Sequence, residues 1–182
     1  MSLAQVGKPA PEFTMPVACP GEAPGTRRVT LSDFAGRWLI LFFYPLDFTD
    51  VCPTEVISMS DRLEEFSELG AEVLGVSVDS VHAHAAWMNT PRNQGGVGAL
   101  NYPLASDLAR TVTRDYGILS DEACVALRAL FIVDPEGVLQ YAAVTNLSVG
   151  RSTDETLRVL QALQTGGMCP ADWKPGKAMV GM

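Results

Sequence analysis

Positive charge, histidine and paired cysteine are all scarce in this sequence. Thirteen basic residues against twenty-one acidic ones leave a formal net charge of −8 over 182 residues. A surface of that sign repels phosphate backbones and anionic bilayers, so neither nucleic acid nor membrane is an expected partner. Long apolar runs are missing as well. The longest, Trp38 to Tyr44 (WLILFFY), is far too short to cross a bilayer. The opening MSLAQVGKPAPEF has no basic stretch followed by an apolar one, so no signal peptide is expected and the expected compartment is the cytoplasm. The only histidines, His82 and His84, stand two apart, a spacing that a helix places on different faces; both are expected at the surface. None of the four cysteines, Cys19, Cys52, Cys124 and Cys169, forms a C-x-x-C pair. Zinc sites bring paired ligands at short spacing, so no metal is expected. A reducing compartment also disfavours a disulfide framework. Thiol chemistry at one or two positions remains, with the other cysteines as small buried hydrophobes.

What is present is an ordinary globular composition, 47% hydrophobic and 19% charged, enough for one sizeable core. No repeat or low-complexity block interrupts it. The first thirty residues are rich in Pro, Gly and Ala, which predicts extended arms and turns. Trp38 to Tyr44 is apolar throughout, as for a strand buried on both faces. Pro53 suits the first turn of a helix, which Val56, Ser60, Leu63 and Phe66 continue at three- and four-residue steps and Gly70 stops. A strand over Glu72 to Val78 follows, then a helix through His84 and Trp87, a loop from Asn89 to Gly98 and a helix over Leu108 to Tyr116. Ala129 to Val133 and Val138 to Val144 bracket Asp134-Pro-Glu-Gly137 and predict a hairpin. Ser152 precedes a helix to Leu163 with Asp154 and Glu155 near its positive end. A β-α-β start followed by hairpin and helix makes an α/β sandwich.

Cys52 holds the position with the most chemistry. It follows a buried strand and precedes a first helical turn, where unpaired N–H groups and the positive end of the helix dipole favour thiolate over thiol. Thr49 and Thr54 bring hydroxyls that donate to, or accept from, a bound oxygen species. Local sequence alone suits a simply buried cysteine equally well.

The surrounding segment FFYPLDFTDVCPTE closely resembles the peroxidatic-cysteine segment of the typical two-cysteine peroxiredoxins, the family of the thioredoxin peroxidases and of the peroxidase component of alkyl hydroperoxide reductase. Their P-x-x-x-T-x-x-C motif stands here as Pro45, Thr49 and Cys52. The resemblance continues through VGKPAPEF, VTLSDFAGRW, VLGVSVDS, YPLASD, ALRALFIVDPEGVL, VGRSTDETLRVLQAL and CPADWKPG. It implies a thioredoxin-like fold, a central mixed β-sheet flanked by helices, over residues 1–163, with a C-terminal tail, 164–182, that carries the resolving cysteine. It also implies roles. Cys52 attacks the peroxide and becomes a sulfenic acid. Thr49 hydrogen-bonds the peroxide, and Pro45 shields the site from water. Arg128 stabilises the thiolate and the charge growing on the leaving oxygen. Glu55 and Arg151 form a supporting pair that orients the arginines. Cys169 of the partner subunit resolves the sulfenic acid as an intersubunit disulfide, which implies a homodimer and, in the family, a decamer. A thioredoxin-like or flavoprotein disulfide reductase then recycles the enzyme, and no cofactor is needed on this chain.

Some residues depart from that pattern or stand outside it. Asp50 occupies a position that is aromatic or aliphatic in relatives; it is expected to face solvent or cap the helix, and it puts ring assembly in question. Cys19 and Cys124 are extra, and core filling is their expected role, although Cys124 is only four residues from Arg128. Trp87 is expected in the core. Gly95, Gly96 and Gly98 form GGVG, which resembles the loop linked in eukaryotic-type members to overoxidation. The companion Tyr-Phe pair is absent, with thirteen residues following Cys169, so resistance to overoxidation is expected. Two other readings remain: a thiol-disulfide oxidoreductase, which normally presents C-x-x-C where Cys52 is followed by Pro-Thr-Glu, and a holdase or redox sensor, which does not require Thr49 and Arg128.

Overall fold

A computed structural model of the protein describes residues 4–181. The chain divides into two compact units, Met1–Arg151 and Ser152–Met182.

The first unit is organised by a strand that is apolar on both sides. β3 (Trp38–Phe43) buries every residue after Trp38, because it is sandwiched on both faces. Leu39, Leu41 and Phe43 enter one cluster with Phe13, Met15, Phe34, Tyr116 and Phe131. Phe42 and Tyr44 turn the other way, Phe42 with its ring 6.0 Å from Tyr102 and Tyr44 with its ring 5.9 Å from Trp87. β3 pairs in parallel with β4 (Ala71–Ser77) and antiparallel with β8 (Arg128–Val133). β8 turns back into β9 (Leu139–Thr145), and Asp134 ties the connection by accepting from the Glu136 and Val138 backbone N–H groups. The hairpin expected from Asp134-Pro-Glu-Gly137 is therefore present.

The N-terminal region differs from its expectation. β1 (Thr14–Ala18) and β2 (Arg27–Thr30) pair antiparallel, and β1 adds to the short β5 (Leu104–Ser106), giving a seven-stranded mixed sheet in the order β2-β1-β5-β4-β3-β8-β9. Strands of three to five residues with two arginines among them carry little periodic signal. Their pairing to the sheet makes them strands.

Helices flank this sheet. The helix predicted from Pro53 to Gly70 is two segments, α1 (Cys52–Asp61) and α2 (Leu63–Glu68), broken at Arg62, whose φ of −114° leaves the helical range. Gly70 stops it at φ +64°, a left-handed turn that glycine adopts without a Cβ penalty. α3 (Val81–Asn89) is capped by the Ser80 hydroxyl and lies against β1 and β5. α4 (Thr111–Asp115) is shorter than the predicted Leu108–Tyr116, because Arg110 is left-handed (φ +57°) and the Asp107 carboxylate binds the Val112 and Thr113 N–H groups at the helix start. The small hairpin of β6 (Leu119–Ser120) and β7 (Val125–Ala126) follows.

The second unit is α5 (Thr153–Gln164) and the segment after it. Its cap is the one read from sequence, with Ser152 Oγ accepting from the Glu155 N–H at 3.2 Å. Arg158 Nη1 reaches back to the Trp173 carbonyl at 2.9 Å, and Trp173 is buried.

Candidate active site

The end of β3 delivers the chain into residues 44–51, which turn it into the first residue of α1. That residue is Cys52, with Pro53 behind it in the first turn. The proline removes a backbone donor the helix does not use there, and its fixed φ suits the turn. The Cys52 thiol is completely buried, yet its surroundings are polar on one side. Arg128, the first residue of β8, sends Nη1 to the sulfur at 3.3 Å and to Glu55 Oε2 at 2.7 Å. Its Nε is fixed by the Leu147 carbonyl at 2.7 Å. A guanidinium held this way cannot swing out, and it is 97% buried, so water does not screen it.

Glu55 sits one turn after Cys52, on the same helix face. Its second oxygen takes the Arg151 backbone N–H at 2.8 Å and Arg151 Nε at 2.7 Å. Burial alone would push the Glu55 carboxyl up, but the hydrogen bonds and charge of Arg151, with the charge of Arg128 behind them, more than cancel this and hold it below the ordinary carboxylate range. Arg151 Nη1 also donates to the Ala129 carbonyl. Its Nη2 is buried without a hydrogen-bond partner among the described residues. The guanidinium carbon lies 5.5 Å from the centroid of the Phe42 ring, whose π face offsets part of that loss.

Pro45 is buried and Thr49 exposed on the turn before Cys52. The Thr49 hydroxyl donates to the Leu46 carbonyl at 2.9 Å, so its proton is engaged and its lone pairs are left as acceptors. Cys52, Arg128, Glu55 and Arg151 are thus brought into one bonded group, and Pro45 and Thr49 stand on the turn that leads into it. Cys169 belongs to the second unit, where its half-buried thiol lies 3.4 Å from Thr165 Oγ1 and 3.7 Å from the Ala162 carbonyl. All four cysteines are free thiols. Among the described residues no group of three or more His, Cys, Asp and Glu is arranged to hold a metal ion, and no helix is long and apolar enough to cross a membrane.

Two expectations are corrected. His84 is fully buried, not at the surface: its Nδ1 lies 2.7 Å from Asp47 Oδ2 and its Nε2 3.2 Å from the Ala105 carbonyl. Its two-residue spacing from the exposed His82 separates the faces as expected, but one of those faces points inward. Cys124 is exposed in place of filling the core, because it sits at φ +54° in the turn between β6 and β7, tied by Arg110 Nε to its carbonyl. Asp50 is exposed, as expected, and Trp87 is fully buried. Sequence reasoning misses Asp47, which lies inside the P-x-x-x-T-x-x-C motif. The signal available is its place between Pro45 and Thr49, a charged residue in a segment that otherwise leads into the core.

Comparison with known proteins identifies the family. The family model described as AhpC/TSA family matches residues 6–142. The putative peroxiredoxin YkuU of Bacillus subtilis is 54% identical over 177 residues, covering 97% of this chain and 98% of its own. Peroxiredoxin-2 of Rattus norvegicus is 51% identical over 177 residues, covering 95% of this chain and 88% of its own. The structure of reduced Plasmodium vivax 2-Cys peroxiredoxin superposes with a TM-score of 0.91 at 42% identity, covering 95% of this chain and 91% of its own. The fold is therefore thioredoxin-like. The chain belongs to the AhpC/TSA family: it is a peroxiredoxin, an enzyme with thiol peroxidase activity.

Proposed function

We propose that Cys52 is the peroxidatic residue and that Cys169 of the partner subunit resolves it, so that a homodimer reduces hydrogen peroxide and organic hydroperoxides. The observation that carries this reading is the 3.3 Å hydrogen bond from Arg128 Nη1 to Cys52 Sγ. As the thiolate attacks the distal peroxide oxygen, the S–O bond forms and the O–O bond breaks. The leaving oxygen takes a proton and departs as alcohol or water, and Cys52 is left as a sulfenic acid. Arg128 lies where negative charge moves from sulfur to the leaving oxygen, and being already fixed it needs no reorganisation at that moment. Glu55 keeps Arg128 and Arg151 oriented. Thr49 Oγ1 accepts from the O–H of the bound peroxide, and Pro45 limits the entry of water.

The Cys169 thiol then condenses with the sulfenic acid, forming the intersubunit disulfide and releasing water. An external dithiol, from a thioredoxin-like or flavoprotein disulfide reductase, returns both thiols. The similarity to 2-Cys peroxiredoxins supports the resolving step and assembly of dimers into larger rings. The test is peroxide consumption with a dithiol reductant by wild type, Cys52→Ser and Cys169→Ser. Cys52→Ser is expected to lose consumption entirely. Cys169→Ser is expected to react once and form no interchain disulfide on a non-reducing gel. Normal consumption by Cys52→Ser would overturn the assignment.

A further inference from the structure

We propose that Asp47 and His84 form a buried clasp that holds the segment before Cys52 closed, and so sets how the Cys52 sulfenic acid divides between disulfide formation and further oxidation; this rests on Cys52 being the peroxidatic residue. Between β3 and α1 the chain exposes Leu46, Phe48, Thr49 and Asp50 and buries Tyr44, Pro45 and Asp47. Asp47 ties this segment down at three points. Its Oδ1 accepts from the Tyr44 hydroxyl at 2.8 Å, its Oδ2 meets His84 Nδ1 at 2.7 Å, and its backbone N–H donates to Asp79 Oδ2 at 2.9 Å. The anchors are themselves fixed. His84 Nε2 points at the Ala105 carbonyl on β5, Asp79 Oδ2 accepts from Ser77 Oγ at 2.7 Å, and the Asp79 carbonyl accepts from Ser106 Oγ.

Proton counting supports a closed unit. The Ala105 carbonyl only accepts, so His84 Nε2 carries a proton, and a single further proton lies between Nδ1 and Oδ2. The pair is neutral as a whole whichever partner holds that proton, which is why a carboxylate and an imidazole survive together in the core. Burial pushes the Asp47 carboxyl up, against the pull of His84, and pushes the Tyr44 phenol well up, so it stays a donor. Beside the clasp, Phe48 has φ +53°, a strained conformation for a phenylalanine that surrounding contacts must hold. Its ring lies 6.0 Å from the buried Trp87.

Cys52 is completely buried, so its sulfenic acid can condense with a thiol only after the first turn of α1 and the preceding segment open. While the segment stays closed, a second peroxide can oxidise the sulfenic acid to sulfinic acid, with the second peroxide reduced to alcohol or water. A stronger clasp lengthens the closed state and favours that second oxidation.

The test uses the full-length enzyme turning over with hydrogen peroxide and dithiothreitol. Sulfinic acid at Cys52 is followed by mass spectrometry against peroxide dose, and amide hydrogen exchange is read over residues 45–54. Asp47→Ala is expected to raise the dose for half-conversion by about tenfold, the effect of losing a hydrogen bond to a carboxylate, and to speed exchange in 45–54 alone. Asp47→Asn, which can accept from Tyr44 and donate to His84, is expected to restore the wild-type dose within about twofold, since its hydrogen bonds are remade. Tyr44→Phe should move the dose the same way by about threefold, one neutral donor being lost. An unchanged dose in Asp47→Ala, or exchange rising evenly along the chain, would overturn the clasp. If Asp47→Ala does not fold, Tyr44→Phe decides by the same two readouts. A wild-type Cys52 that peroxide leaves unoxidised defeats the peroxidatic assignment instead, and exchange still tests the clasp.

Discussion

Two buried polar clusters draw on the chain that runs from β3 into α1, and their charges are balanced differently. Around Cys52, Arg128 and Arg151 bring two positive charges to the single carboxylate of Glu55. That group is neutral only when the sulfur is an anion, and one Arg128 N–H points at it. In the Tyr44, Asp47 and His84 cluster, the donors and acceptors of the three side chains answer one another and the Ala105 carbonyl. A buried cluster that is complete in itself holds structure. One short of a single negative charge suits the anion-stabilising role proposed for it. Asp47 and Cys52 lie five residues apart along the chain, so the proposed clasp bears directly on the chemistry proposed at Cys52.

Breaking the charge balance at its centre tests this comparison most severely. Glu55→Ala leaves two buried arginines without their carboxylate, and urea unfolding should show a loss of about 3–5 kcal/mol, the cost of breaking a buried ion pair from one side. Glu55→Gln examines the same residue by pH. The folded Glu55 carboxyl is held below its ordinary value, so its contribution to stability is complete above the unfolded carboxylate value of about 4.3 and fades as pH falls through the lower folded value. The wild type should therefore lose stability toward acid more steeply than Glu55→Gln, and parallel acid limbs would mean that Glu55 contributes nothing to the acid sensitivity.

Removing the surplus cation is next in size. Arg128→Met should slow the first oxidation of Cys52 by about 10²–10³, as for loss of one preorganised donor to developing charge, read by stopped-flow under single turnover. A rate within a few-fold of wild type would mean that the helix terminus alone activates Cys52. Thr49→Val takes away an acceptor on the exposed side and should slow the same step about five- to tenfold, the equivalent of one hydrogen bond near 1 kcal/mol. Least is expected at Asp50. Its side chain is exposed and makes no described hydrogen bond or ion pair, so Asp50→Asn should change stability by less than about 0.5 kcal/mol. A larger shift in thermal melting would place Asp50 inside the charge balance after all.

Legibility in the sequence follows the length and regularity of each signal. β3 is readable because seven apolar residues in a row have few other uses. The hairpin is readable from a Pro-Glu-Gly turn between two apolar runs, and α5 from Ser152 and its acidic first turn. β1, β2 and β5 are not, since strands of three to five residues with mixed side chains are defined by the neighbours they pair with. The break at Arg62 and the early end of α4 are hidden for a similar reason: local backbone angles there answer to contacts made elsewhere.

By itself the sequence determined the α/β class, the buried strand and a cysteine at the start of a helix, while the roles proposed around that cysteine came with the family resemblance. Composition, periodicity and motif spacing are local properties, and they survive in one dimension. The tertiary structure decided the contacts themselves: that Arg128, 76 residues along the chain from Cys52, donates to its sulfur, that the two Glu55 oxygens take Arg128 and Arg151, and that His84 is buried against Asp47. Those facts depend on which strands become neighbours in the sheet. Hydrogen bonding fixes that over distances in space, and separation in sequence does not record it.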